Sequence, residues 1–345
     1  MERGREQEQE QEQEREPMKC LVTGAAGFIG SHLCDRLIKD GHHVIGFDNL
    51  STGRISNLEA IRNHGSFHFF ADHLLGSKLE EAVEGCGWVF HLAAKADIVP
   101  SIEKPTDYHE TNVGGTLRLL ELCRKAGTVR FVYAASSSCY GVPDRYPTLE
   151  GADMRPMYPY ALTKYVAEQY VLHWSKVYKV PALSLRLFNV YGPRHRTSGA
   201  YGAVFGVFLS QLAHCQPLTV VGDGEQKRDF TYVIDVVDAF VRAAESGISG
   251  RAINIGTGHP RSVNELVNAL GDPRTVRIPN RPGEPKVTSA NATLAYKALG
   301  WTPSIKFEDG VRIMLNHLAD YWDAPLWTPE SIEKATRSWF THLGG

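Results

Sequence analysis

The sequence predicts an α/β fold: a doubly wound, mostly parallel sheet with a smaller, discontinuous α/β domain beside it. Short apolar runs bounded by turns alternate with stretches of helical periodicity, the pattern of a parallel sheet covered on both faces. The first run enters a glycine-rich turn, Thr23-Gly24-Ala-Ala-Gly27-Phe-Ile-Gly30, and leaves it as a helix. After Tyr191-Gly192-Pro193-Arg194 the texture changes to short elements with Pro/Gly-rich connections. With 345 residues the chain can bury a large core in one or two domains.

The elements follow in order. Residues 19–24 read as a short apolar strand, Phe28–Lys39 as a helix ending before Gly41, and His43–Asp48 as the next strand. Further apolar runs lie at 67–70, 88–94, Arg130–Ser136 and 183–190, separated by helical stretches near 77–86, 107–126 and 158–179. Beyond Tyr191 come a helix near 203–215 and a strand at Leu218–Val221. A helix at 232–244 and a strand at 252–256 return to the first layer. The expected division is 18–190 with 231–260 for a nucleotide-binding domain, and 191–230 with 261–345 for the smaller one. Residues 1–17 are a Glu/Gln alternation with nothing to bury, read as a disordered tail.

Composition narrows the function classes. A formal charge of −2 gives no field for nucleic acid. No apolar run is long enough to cross a bilayer, and the start lacks the apolar core of a signal peptide. Six scattered cysteines without a CxxC pair read as reduced, packed thiols of a cytoplasmic protein. Fourteen histidines without an HExxH motif, His64 and His68 being the one pair at HxxxH spacing, give little support for a metal site.

The glycine turn lets backbone approach a pyrophosphate and offers it a helix N-terminus, as in a Rossmann-type dinucleotide site. Asp48 ends the second strand about 20 positions on, where a carboxylate accepts hydrogen bonds from a ribose diol and favours NAD over NADP. Asp72 ends the third strand, positioned either to reach the adenine or to cap its own turn. Tyr160 and Lys164, one helical turn apart, share a helix face. A cation beside a phenol favours the phenolate, which makes Tyr160 a candidate general base.

Around these residues the chain resembles the extended short-chain dehydrogenase/reductase family, and within it the nucleotide-sugar epimerases and dehydratases. The ordered matches are Gly24 to Gly30, His91-Leu-Ala-Ala94, Asn112-Val-Gly-Gly-Thr116, Ala135-Ser-Ser-Ser-Cys-Tyr-Gly141, Tyr158-Pro-Tyr-Ala-Leu-Thr-Lys164, Arg186-Leu-Phe-Asn-Val-Tyr-Gly192 and Gly222-Asp-Gly-Glu-Gln-Lys-Arg-Asp229, spanning about residues 18–310. The resemblance implies Ser136, Tyr160 and Lys164 as catalytic residues. It implies NAD held by Gly24, Gly27, Phe28, Ile29, Gly30, Asp48, Asn49, Asp72, His73, Leu92, Ala93, Ala94, Asn112, Tyr160 and Lys164. It places a UDP-sugar on Ser136, Ser137, Ser138, Tyr160, Asn189, Arg194, Val220, Arg228 and Arg281, with Cys139 as packing. Homodimers through the helices at 107–126 and 158–179 are expected on the same ground.

The family's 4,6-dehydratases carry an Asp-Glu pair directly after the catalytic Thr, and its decarboxylases generally a glutamate nearby. Here those positions are Ser137 and Ser138, with no carboxyl group. The expected reaction is therefore 4-epimerisation of a UDP-hexose, UDP-N-acetylhexosamine or UDP-uronate through a transient 4-keto sugar. The alternatives are a dehydratase or decarboxylase of the same family, or a non-catalytic NAD-binding sensor. Thr288, seven positions after Arg281, is small where some 4-epimerases place a Tyr, and residues 198–203 resemble the subgroup acting on N-acetylated sugars. Arg194 and Arg196 are candidates for a uronate carboxylate, the diphosphate or solvent, and Lys95 for substrate or a peripheral ion pair. Residues 323–345, with Trp327 and Trp339, go beyond the motifs: they can pack on the smaller domain, cover the substrate cleft or join a partner.

Overall fold

The computed structural model describes residues 16–195 and 204–343. In chain order the main elements are β1 (Lys19–Thr23), α1 (Phe28–Lys39), β2 (His43–Asp48), β3 (Phe67–Ala71), α2 (Leu79–Val83), β4 (Trp88–His91), α3 (Ile98–Glu103), α4 (Pro105–His109), α5 (Gly115–Ala126), β5 (Arg130–Ser136), α6 (Pro159–Tyr178) and β6 (Ala182–Leu187). They continue with β7 (Val190–Tyr191), α7 (Val204–Ala213), β8 (Leu218–Val221), β9 (Lys227–Arg228), β10 (Thr231–Tyr232), α8 (Val233–Glu245) and β11 (Ala252–Ile255). The last are β12 (Arg261–Ser262), α9 (Val263–Ala269), β13 (Thr275–Ile278), α10 (Thr293–Leu299), α11 (Phe307–Asn316) and α12 (Pro329–Leu343).

Seven parallel strands form one sheet in the order β11-β6-β5-β4-β1-β2-β3. Side chains alternate between its faces, so both must be apolar. Cys20 and Val22 of β1 join a core with Leu33 and Leu37 of α1 and Val236 and Phe240 of α8. Leu21 between them joins the opposite core, with Leu119 and Leu120 of α5 and Ala167 and Val171 of α6. The strand order reverses between β1 and β4, opening a crevice at the carboxyl ends of the strands.

The strand pattern read from the sequence is met within a residue or two at most ends; the run at 183–190 divides into β6 and β7. The helix expected at 107–126 is a composite: α4, a π-helical turn at Glu110–Gly114, then α5. Such turns insert one residue into the helical ladder and often serve functional sites.

A third core joins Tyr191, Phe205, Phe208, Leu218, Val220, Phe230, Leu266, Met314 and Ile332, which belong to the smaller α/β layer. One segment departs from the expected division. Ala295 and Leu299 of α10, with Trp301, pack into the first sheet core, and the Trp301 indole N–H donates to the Asp235 carbonyl at 2.8 Å. The edge strand β11 needs a cover, and α10 supplies it. Cys20, Cys34, Cys86, Cys123 and Cys139 are buried free thiols, whereas Cys215 is exposed. Among the described residues, no helix is long and apolar enough to cross a membrane, and no cluster of His, Cys, Asp and Glu could hold a metal ion.

Candidate active site

A cavity of about 640 Å³ runs along the carboxyl edge of the sheet, from the β1–β3 ends to the smaller layer. Its cofactor end begins at the glycine turn. Gly24 adopts φ +73°, and a Cβ there would sit 2.8 Å from the Ala93 amide nitrogen; a Cβ on Gly30 would sit 2.1 Å from the Gly24 carbonyl oxygen. Only glycine permits this closeness of helix, turn and strand. Gly27 caps α1 without a side-chain bond, leaving the helix N-terminus turned to the cavity. Phe28, Ile29, Asp48, Asn49, Asp72, His73, Leu92, Ala93 and Ala94 complete this wall.

Asp48 accepts from the Ala26 amide (3.0 Å) and the Leu50 amide (2.8 Å). Burial raises its pKa, and the two amides oppose the rise. Asp72 lies in the wall and also caps its own turn: its carboxylate accepts from Lys78 (2.9 Å) and His73 (2.7 Å), and these bonds, the first being the larger, lower its pKa.

Asn112 is 1 % exposed and outside the cavity wall. From the π-helical turn its amide holds the Lys95 backbone (2.8 and 3.0 Å) and donates to Thr163 of α6 (3.0 Å). It therefore ties the β4 loop to α6.

Sequence reasoning passed over the role of His91. Thr116 donates to the Asn112 carbonyl (2.6 Å), so its oxygen accepts from His91 Nε2 (2.8 Å). His91 Nδ1 must then accept from Thr23 (2.7 Å), whose oxygen accepts from the Ala93 amide (3.2 Å). This directional chain holds the 92–94 loop against Gly24. It needs a neutral imidazole, and burial, with Lys164 nearby, lowers the His91 pKa to about 3.

At the middle of the cavity three elements converge. Ser136 ends β5, and its hydroxyl accepts from the Ser138 amide (3.2 Å) and lies 2.8 Å from the Ser138 hydroxyl. Pro159 starts α6 with the torsion a first turn requires, so Tyr160 stands in that turn and Lys164 one turn on. Ser136, Ser137, Ser138, Tyr160 and Lys164 all line the cavity. Lys164 is 4 % exposed, with Nζ 4.3 Å from the Tyr133 ring centre. Burial lowers its pKa to about 8.

The Tyr160 phenol departs from expectation. The surrounding protein pushes its pKa up to about 12; a hydrogen bond with Ser136 pulls it down, and the charge of Asp97 adds to the rise. The lowering comes from Ser136, not from Lys164. Asp97, which N-caps α3 in the cavity wall, was not singled out from sequence.

At the far end Asn189, Thr219, Val221, Gln226, Arg228, Arg281, Glu284 and Thr288 line the wall. Val220 does not: strand alternation turns it into the smaller core and turns Thr219 and Val221 to the cavity. Thr288 donates to the side-chain amide oxygen Oδ1 of Asn189 at 2.7 Å. Glu284 sits between two arginines, 2.5 Å from Arg228 and 3.7 Å from Arg281. Arg194 is outside the wall and pairs with Asp35 at 2.7 Å. Lys95 lines the wall and pairs with Asp107 at 3.1 Å. Arg196 and residues 198–203 lie outside the described residues.

The family model "NAD dependent epimerase/dehydratase family" matches residues 20–256. The chain belongs to this epimerase/dehydratase family. A UDP-glucose 4-epimerase of Mycolicibacterium smegmatis is 38 % identical over 302 residues, 85 % of this chain and 96 % of the relative. A UDP-N-acetylglucosamine 4-epimerase of Methanobrevibacter ruminantium, solved with UDP-N-acetylmuramic acid, is 31 % identical with a TM-score of 0.83, covering 88 % of this chain and 100 % of that one. A UDP-glucuronic acid 4-epimerase of Bacillus cereus, solved with UDP-glucuronic acid and NAD, is 32 % identical with a TM-score of 0.82 and the same coverage. NAD is the family's cofactor, and the residues fit it: the glycine turn, packed too closely for any Cβ, presents the α1 N-terminus to the cavity where a pyrophosphate would bind, and Asp48 lies in the same wall, where a ribose diol would donate.

Proposed function

We propose that this chain is a UDP-sugar 4-epimerase acting on neutral hexoses. One observation carries the reading: Tyr160 shares its cavity with Ser136, and the positions beside Ser136 are hydroxyls, Ser137 and Ser138, with no carboxyl group to eliminate water or assist decarboxylation. Tyr160 takes the proton from the hydroxyl on carbon 4 and later returns one; Ser136 hydrogen-bonds the same hydroxyl. Lys164 holds the nicotinamide ribose and keeps positive charge beside the phenol. NAD, held by the glycine turn and Asp48, would supply a reversible hydride acceptor for carbon 4. Asn189, Arg228 and Arg281 hold the nucleoside diphosphate, at the end of the cavity remote from the glycine turn.

Charge supports a neutral sugar. The Asp97 carboxylate is close enough to raise the Tyr160 pKa and would repel a uronate there. Arg194, the candidate uronate partner that the structure describes, is tied to Asp35. Thr288, small and fixed by Asn189, leaves room for a substituent on carbon 2, so both glucose and N-acetylglucosamine are expected substrates.

The test is incubation with NAD and, in turn, UDP-glucose, UDP-N-acetylglucosamine and UDP-glucuronate, with products followed by NMR. Interconversion at carbon 4 of the first two supports the reading. Loss of water or carbon dioxide replaces it with the dehydratase or decarboxylase alternative, and no turnover of any sugar leaves the sensor. A cytoplasmic homodimer goes with this reading: five buried thiols fit a reducing compartment, and Leu162, Val177 and Tyr178 of α6 remain exposed on the expected interface.

A further inference from the structure

The C-terminal helix α12 buries Ile332, Thr336 and Trp339, residues spaced to fall on one face. Ile332 enters the core of the smaller layer. Trp339, 3 % exposed, instead reaches the wall of the active-site cavity. Its indole N–H donates to the Pro282 carbonyl at 2.7 Å, and the Arg281 guanidinium lies 5.9 Å from its ring. On the other side its ring is 6.0 Å from Tyr158, which stacks on Tyr160 at 6.4 Å with planes 7° apart. The neighbouring Ser338 hydroxyl donates to Glu103 of α3 at 2.8 Å, so the helix bridges the first layer and the 281–285 loop across the cavity.

These contacts bracket one place. Accepting the reading above, the diphosphate lies at Arg281 and the reacting carbon at Tyr160. A hexose joining them must pass the indole, which touches the flanks of both through Arg281 and Tyr158. An aromatic face offers a pyranose ring apolar contact for its C–H face and gives a charged group nothing to pair with. We propose that Trp339 is a specificity-determining residue that roofs the hexose of the bound nucleotide sugar, and that α12 is a third wall of the substrate site. Coverage agrees: the Methanobrevibacter enzyme matches 88 % of this chain with all of its own length, so a stretch longer than the N-terminal tail has no counterpart there.

The test compares UDP with UDP-glucose on the full chain loaded with NAD, by calorimetry, for Trp339→Ala and Trp339→Phe. Trp339→Ala is expected to weaken UDP-glucose about tenfold and to leave UDP, which has no hexose, within about twofold, well under 1 kcal/mol. Trp339→Phe is expected to recover most of the loss, and KM is expected to rise with kcat little changed. Equal weakening of UDP and UDP-glucose in both variants would assign Trp339 to the diphosphate loop alone, and unchanged UDP-glucose binding would remove it from the site; either overturns the proposal. Should Trp339→Ala not fold, Trp339→Gln, which keeps bulk but removes the aromatic face, decides: UDP-glucose weakened with UDP unchanged supports the proposal, and any other pattern sinks it. Absence of turnover by the unmodified enzyme would sink the epimerase reading, while the two binding constants still decide the role of Trp339.

Discussion

The cofactor end of the cavity is assembled mainly from residues close in sequence, whereas the sugar end is assembled from segments far apart. Gly24, Gly27, Gly30 and Asp48 sit on one strand–helix–strand unit, fixed by backbone contacts that admit no side chain. Asn189, Arg228, Glu284 with Thr288, and Trp339 come from four separate stretches and meet through side-chain contacts. The first kind of site is set by local torsions and tolerates little change. The second kind can vary one wall at a time, which suits a family with one cofactor and several sugars.

The widest test of this contrast is at the seam, on Tyr160. Tyr160→Phe removes the proton acceptor without altering either wall. Turnover is expected to fall about 1,000-fold, with NAD retained and UDP-sugar affinity little changed. Single-turnover kinetics and the nicotinamide absorbance of the purified protein check this. Substantial residual activity would move the base elsewhere, Asp97 being the next group in the wall.

A second, smaller effect belongs to the cofactor end. Lys164 is buried and its pKa falls from 10.5 to about 8, so the fold holds a charge it disfavours. The unfolded chain keeps this proton up to its higher pKa; stability rises with pH from about 8 to 10.5, and the cost is present in full below that window. In protein stripped of NAD, Lys164→Met is expected to gain about 2 to 3 kcal/mol at pH 7, a gain that shrinks above pH 8 and comes with loss of turnover. Denaturant unfolding at pH 7 and pH 10 checks the sign. A loss of stability at pH 7 would mean that the contact with Tyr133 outweighs burial.

The same contrast explains what the sequence disclosed. The alternation of strands and helices, the glycine cradle and the Ser136/Tyr160/Lys164 set were legible because each depends on spacing within one or two elements. The clamp that Asn112 forms between Lys95 and Thr163 was not legible, since a motif alone does not say which way the amide points. Strand alternation sets the Val220 side chain in the core of the smaller layer, one residue from the cavity-facing positions. The pairing of Arg194 with Asp35, far away in sequence, left no local mark. Trp339 carries no local signal, since only the path of the whole chain brings it to Tyr158. Arg186 shows a further kind of loss. Its motif reads as functional, yet Arg186 is buried on Glu168, Tyr140 and the Glu150 carbonyl, holding the serine turn to α6 and β6.

The finest discrimination is by acid. His91 is held neutral, with a pKa near 3 against 6.5 in the open chain, because burial and the nearby Lys164 disfavour its charged form, and its ring bonds to Thr116 and Thr23 suit the neutral imidazole. The unfolded state takes up a proton as pH drops through 6.5 and the folded state does not, so stability declines from pH 6.5 towards pH 3 by about 1.4 kcal/mol per unit. His91→Gln is expected to be less stable at pH 7, having lost part of the chain of hydrogen bonds, yet to decline less steeply by that one proton. Trp339→Phe, at the sugar end, is expected to keep the full slope. Urea unfolding at pH 7, 6 and 5 separates the three proteins. Equal slopes for wild type and His91→Gln would mean that the imidazole accepts a proton in the fold. The cofactor loop would then be held against Gly24 by packing rather than by a directional chain of hydrogen bonds, and the two ends of the cavity would be less different than their construction implies.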